Sequence, residues 1–184
     1  IPIAVLDAGT SSYDVLIPES TTRTSYYAVT YMLPNWTAPG NNYEDVRFLS
    51  NNSLGEGVYE DTIPPSAPTT AYASFNPDTA NGTGMTTISW SALTEETGES
   101  YRVWMAGVPF NSTDRNDIEL IATVQEGFTF YEHSVDRGQI GYTYYCIEII
   151  DQFGVASSDI TCTNPIYEDT FTPWIAEPTN VAAE

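Results

Sequence analysis

One histidine, two cysteines and 25 Asp plus Glu are the side chains from which any chemistry here would be built. His133 lies in Tyr131-Glu-His-Ser-Val beside Glu132 and Asp136. A lone histidine in such a strand-end setting reads as structural. No Gly-x-Ser-x-Gly elbow, His-Glu-x-x-His pair or glycine-rich phosphate loop occurs in the sequence. A Ser-His-Asp set assembles in space rather than in sequence order, and nothing points to one. Acids are so abundant that a pair suited to glycoside hydrolysis carries no information. No enzyme is expected.

Cys146 and Cys162 say more. Their midpoint falls at Asp151-Gln-Phe-Gly154, a hairpin turn, so they face each other across antiparallel strands if the turn carries a bulge. The simplest product is a disulfide. Closing such a loop contributes about 3 kcal/mol in the loop-entropy account. Cys146 alternates against Tyr145, Ile147 and Ile149, which places it outside the core as an exposed pair. The remaining candidates concern ligands. Glu60-Asp61 and Glu168-Asp169, with Glu44-Asp45, offer the hard oxygen donors that calcium takes as a structural ion; no other cofactor is expected. Trp36, Tyr43, Trp104 and Trp174 are the exposed aromatics that would bind carbohydrate, and Asn35, Asn51, Asn81 and Asn111 are glycosylation sequons.

The elements that must position these residues are strands. Thr86–Ala92, Tyr101–Ala106, Ile118–Val124, Phe128–Glu132, Tyr142–Ile150 and Val155–Thr163 show the alternation or β-branched and aromatic content of strands. A first strand of this group falls near Thr69–Phe75, and no amphipathic helix is found. A boundary precedes them: three prolines within Pro64-Pro-Ser-Ala-Pro68 cannot occupy an interior strand. An internal repeat supports it. Thr24–Met32 matches Tyr142–Ile150, with inward rows at Tyr27, Val29, Tyr31 and at Tyr145, Ile147, Ile149. Ile3–Asp7 and Tyr13–Leu16 match Leu120–Val124 and Phe128–Tyr131. Tyr-Glu-Asp-Thr closes both units, at Tyr59–Thr62 and Tyr167–Thr170.

Residues 61–165 resemble a fibronectin type III domain of the microbial extracellular, tandem-repeat kind. The resemblance rests on the Asp61-Thr62-x-x-Pro65-x-x-Pro68 lead-in, Trp90, Tyr101-Arg-Val-Trp104, Tyr144-Tyr145 and Asp151-x-x-Gly154. It implies immunoglobulin-like β-sandwiches in tandem, each of two sheets and about seven strands. The long polar loop from Pro109 to Asp117 and the cysteine pair depart from the family. Domains are expected at 1–60 (the last strands of such a sandwich), 61–170 (a complete one) and 171–184 (a linker or docking tail). Half a sandwich is not stable alone, so its other strands are expected from an upstream segment, a cleaved partner or a neighbouring subunit.

Composition narrows the partners. The 184 residues contain 5 Arg and no Lys, and the formal net charge is -20. Nucleic acid and anionic membrane are therefore excluded, since phosphate contacts need basic side chains in number. No run of apolar residues is long enough to span a bilayer. Hydrophobic content of 41% and aromatic content of 13% suffice for a folded core. The start, Ile1-Pro-Ile-Ala-Val-Leu-Asp7, has no basic region and reads as strand interior, as in a processed product or a fragment. The expected role is a structural module of an extracellular or cell-surface multidomain protein that forms a filament, sheath or surface layer, with copies of itself or neighbouring domains as partners. The alternatives are an adhesion or carbohydrate-binding module, or an accessory domain of a secreted hydrolase.

Overall fold

The computed structural model describes residues 3–7, 9–29, 53–93 and 97–171. Among them every regular element is a strand, and no helix is long and apolar enough to cross a membrane. The chain divides into two compact units between Ile63 and Pro64, where consecutive prolines deny the ladder its donors.

In unit 1 the strands are β1 (Thr22–Ser25), β2 (Ala28–Val29), β3 (Ser53–Leu54) and β4 (Val58–Asp61). Strand β1 pairs antiparallel with β4, and β2 with β3, so the four segments make one interrupted ribbon. Ile3–Asp7 and Tyr13–Leu16, expected as strands, form none. Their matched segments in unit 2 explain why. Those segments are strands only because β6 and β7 give them ladder partners, and the described residues of unit 1 contain no counterpart of either strand.

Unit 2 contains β5 (Ala71–Asp78), β6 (Thr83–Trp90), β7 (Ser100–Ala106), β8 (Glu119–Gln125), β9 (Phe130–Val135), β10 (Ile140–Ile150), β11 (Thr161–Cys162) and β12 (Ile166–Asp169). One antiparallel sheet runs β5-β6-β9. The other runs β8-β7-β10, with β11 and β12 both paired to the far edge of β10. The return after the Asp151 turn, expected as one strand from Val155 to Thr163, is broken: only an isolated bridge joins Ile150 to Ala156 before β11 begins. Pro165 separates β11 from β12, because a proline has no N–H for the ladder.

The main core draws on both sheets. Ile88 and Trp90 from β6 meet Tyr101 and Val103 from β7 and Tyr145, Ile147 and Ile149 from β10. The alternation read from the sequence holds here: the row at Tyr145, Ile147 and Ile149 is fully buried. A second, smaller core lies on the outer side of β10, where Cys146 packs with Ala106 and Phe110. Phe110 comes from the polar Pro109–Asp117 loop. Arg115 clamps that loop by pairing with Asp117 and donating to the Pro109 carbonyl at 3.0 Å.

Candidate functional site

The Tyr-Glu-Asp-Thr segments form the most elaborate polar arrangement in each unit, and each begins with a strand ladder. In unit 2, β12 pairs with β10 so that Gly141 faces Glu168 and Thr143 faces Ile166. Glu168 is buried on the core side. Its carboxyl accepts from Thr143 Oγ1 at 2.6 Å, from Tyr145 OH at 2.7 Å and from Thr86 Oγ1, which reaches across from β6 in the opposite sheet. The buried carboxyl thus has its desolvation offset by three hydroxyl donors rather than by a cation. Burial, and next the neighbouring Glu168, push the Tyr145 phenol well above its ordinary range. The ring of His133, on β9, tilts against that of Tyr145 at 5.9 Å between centroids.

Unit 1 repeats this joint in register and in two of its three donors. Arg23 faces Glu60 and Ser25 faces Val58 in the same register. Glu60 accepts from Ser25 Oγ at 2.8 Å and from Tyr27 OH, the positions of Thr143 and Tyr145. Its third donor is Arg23 Nε at 2.7 Å, where unit 2 has Gly141. The hydrogen bond from Tyr27, followed by those from Arg23 and Ser25, outweighs burial and holds the Glu60 carboxyl below its ordinary value.

The rest of the motif also matches. Asp61 Oδ1 accepts from the Ile63 amide at 3.0 Å, and Asp169 Oδ1 from the Phe171 amide at 2.9 Å. The Thr62 hydroxyl accepts from the Thr21 amide at 2.9 Å and donates to the Pro18 carbonyl at 2.8 Å. Thr170 does the same with Gln139 at 2.8 Å and Asp136 at 2.7 Å. Gly55 donates to the Tyr27 carbonyl at 3.2 Å, as Thr163 does to that of Tyr145 at 2.9 Å. Even the backbone turn recurs: Ser20 and Gly138 both adopt positive φ, 55° and 79°.

This geometry redefines the residues considered for calcium. Successive residues of a strand face opposite ways, so the two carboxyls of Glu60-Asp61 and of Glu168-Asp169 do not converge. Each is already engaged by hydroxyl or amide donors. Among the described residues no group of three or more His, Cys, Asp and Glu side chains could hold a metal ion.

Cys146 and Cys162 are joined in a disulfide, directly opposite each other in the β10–β11 register. The expected exposure of Cys146 is corrected: it is fully buried, because the Pro109–Asp117 loop folds over the outer face of β10 and lays Phe110 against it. Cys162 remains exposed. In unit 1 the equivalent pair is Ala28 and Leu54.

Trp104 is not a free aromatic platform. It packs at the edge of the second core, and its Nε1 donates to Glu148 at 3.1 Å. Buried Glu148 also accepts from Thr113 of the covering loop at 3.2 Å and from Arg102 at 3.5 Å. Trp36, Tyr43 and Trp174, with the sequons at Asn35 and Asn51 and the acids Glu44 and Asp45, lie outside the described residues. Asn81 and Asn111 are exposed. The Asn81 side-chain amide donates to Asp78 in the β5–β6 turn at 2.7 Å, and that bond is the first cause of the lowered Asp78 value.

Sequence reasoning missed three things. It did not assign Ser25, Tyr27, Thr143, Tyr145 and Thr86 as donors to the repeated glutamates, although the Tyr-Tyr identity marked two of them and the Tyr-Glu-Asp-Thr identity marked the glutamates. It did not foresee Glu148 as the anchor of the loop. It also did not foresee Glu99, 2% exposed, whose carboxyl oxygens have no hydrogen-bond partner among the described residues, as is true of the buried Trp90 Nε1.

Fold and joints together define an all-β protein of antiparallel sheets with a disulfide-stapled ribbon and a duplicated carboxyl–hydroxyl joint. No protein-family model, no curated protein and no solved structure matches the chain.

Proposed function

We propose that the protein is a structural module of an extracellular multidomain surface protein, in which sandwiches of the fibronectin type III kind serve as repeated spacers of a filament, sheath or surface layer, without enzymatic activity. The observation that carries this reading is the joint that recurs, in register and in two of its three donors, in two units of one chain. Selection for a catalytic or binding surface would preserve exposed groups in one place. Here the preserved features instead close the ribbon ahead of a stiff proline segment, which is what a spacer repeats.

Two further features support it. In unit 2 the chain crosses between sheets at β6–β7, β8–β9 and β9–β10, the connectivity of a two-sheet sandwich with sheets β5-β6-β9 and β8-β7-β10-β11/β12. The disulfide suits an oxidising, extracellular setting. The adhesion reading draws no support from Trp104, whose indole is committed to Glu148. Electron microscopy of the native source material tests the proposal. Filaments or lattices with a repeat of one or two sandwich modules are expected; dispersed particles with no repeat would overturn it.

A further inference from the structure

We infer that the outer face of the β5-β6-β9 sheet binds a neutral glycan, a flat β-1,4-linked chain of pyranose rings that stacks on Tyr72 and Phe130 and crosses the hydroxyls between them.

The face follows from the register. Ala71, Ala73, Ile88, Trp90 and Tyr131 turn toward the core, so the residues that alternate with them point to solvent. Tyr72 lies opposite Ser89, and Ser89 opposite Phe130, so one row across the sheet reads Tyr-Ser-Phe. The next row reads Ser74, Thr87 and Glu132. Tyr72 is 65% exposed and Phe130 is 53% exposed. Exposed aromatics on paired strands cover one another, as Tyr142 and Tyr167 do at 5.2 Å between ring centroids. Tyr72 and Phe130 cannot, because β6 lies between their strands and two strand spacings set them roughly 10 Å apart. The small Ser89 leaves the space between the rings open. Backbone pairing continues past the end of β9, through the bond from the Trp90 amide to the Thr129 carbonyl at 3.0 Å. That bond brings the exposed Phe128 to the same edge as Phe130. The face is a platform with aromatic side chains on both edges and hydroxyls between them.

Size and charge choose the occupant. Two strand spacings by three rows give roughly 200 Å², against about 800 Å² per partner in a standard protein interface. A narrow ligand fits, and a folded protein does not. Glu132 is the one charged side chain in these rows, and the chain carries a net charge of -20. Phosphate, sulfate and uronate ligands are therefore repelled. What remains is an uncharged ligand that offers an apolar face to each ring and hydroxyls to Ser89, Thr87 and Glu132. A neutral pyranose does both: its axial C–H bonds lie on an aromatic face, and its equatorial hydroxyls point sideways to polar side chains. Equatorial β-1,4 linkage keeps successive rings in one ribbon, so a single chain reaches Tyr72 and Phe130 together. The inference goes beyond the proposed spacer role and stands whether or not native material shows filaments.

The test titrates cellohexaose and the hexamer of N-acetylglucosamine into the full chain by calorimetry, with a galacturonic acid hexamer as the anionic control. At least one neutral hexamer is expected to bind, and the uronate hexamer is not. Tyr72→Ala and Phe130→Ala should each weaken binding about tenfold or more. Ser89→Leu, which fills the space between the rings, should abolish it, and Tyr142→Ala should leave it unchanged. A second measurement needs no variant. In the unsubstituted chain, saturating hexamer should shift the ring proton resonances of Tyr72 and Phe130 and leave those of Tyr142 and Tyr167 in place. Failure of both neutral hexamers to bind, equal binding of the uronate, affinity indifferent to Y72A and F130A, or shifts confined to other aromatics would each overturn the inference.

Discussion

Ser20 is the only non-glycine residue at positive φ among the described residues, and its structural counterpart is Gly138. A side chain in the left-handed region costs roughly 1–2 kcal/mol, partly offset by the freedom that glycine adds to the unfolded chain. Ser20→Gly is expected to stabilise unit 1 by roughly 0.5–1 kcal/mol. Gly138→Ser should destabilise unit 2 by a similar amount through its backbone alone, because nothing lies within 4 Å of an added Cβ. Thermal melts of the two variants check both signs. Glu99 makes the opposite kind of prediction. Both its carboxyl oxygens are buried and have no hydrogen-bond partner among the described residues, and an orphaned polar group costs about 1–3 kcal/mol. Glu99→Leu should therefore be neutral or stabilising in a denaturant titration, against the usual cost of changing a buried residue. Acid should act on unit 1 through Glu60. Its folded-state value lies below the ordinary 4.5, so its contribution is present above that value and lost as pH falls through the lower folded one. Once the acid slowing of intrinsic exchange is divided out, protection of the amides of β1 and β4 should fall on acidification from roughly pH 5 to pH 3, and Glu60→Gln should flatten that dependence. At this scale the sequence showed which residues recur but not which atoms they meet. Thr86 lies 82 positions from Glu168, and no local pattern announces so distant a donor.

Strands obey a different logic from residues, because a strand exists only where a neighbour accepts its backbone. The alternation of Tyr142–Ile150 was sufficient to foresee β10, which has ladder partners along both edges. Ile3–Asp7 has comparable apolar content and forms no strand, and it has no ladder partner among the described residues. The cysteine pair shows the same dependence. Its hairpin was legible from the spacing around Asp151–Gly154, and the register places Cys146 opposite Cys162 as that spacing requires. Burial of Cys146 was not legible, because it depends on where the Pro109–Asp117 loop lies. Since Cys162 is exposed and the two cysteines are 16 positions apart, mild reduction should reach the bond. The expected loss is about 3 kcal/mol from unit 2. Calorimetry with and without reductant checks this, and two free thiols in the unreduced intact mass would contradict the pairing itself.

On the scale of the whole molecule, the two units differ in how completely their ribbons are covered. Unit 2 buries Ile88, Tyr101, Val103, Tyr145, Ile147 and Ile149 between two sheets. Unit 1 leaves Val29 and Leu16 exposed at the positions where it would build a core. Stability follows apolar burial, so the chain should melt in two transitions, with unit 1 the lower, and reductant should move only the upper one because both cysteines belong to unit 2. A single transition displaced as a whole by reductant would show that the units unfold together. The sequence by itself determined the strand-rich class, the proline boundary, the repeat and the pairing of the cysteines. Alternation, proline chemistry and spacing are local properties that survive without knowledge of the fold. Only the tertiary structure decided that the repeated glutamates are held by hydroxyls, that Cys146 is buried, and that one ribbon is covered while its twin is open. Each of these depends on which strand lies across the core, a relation between residues far apart in the chain.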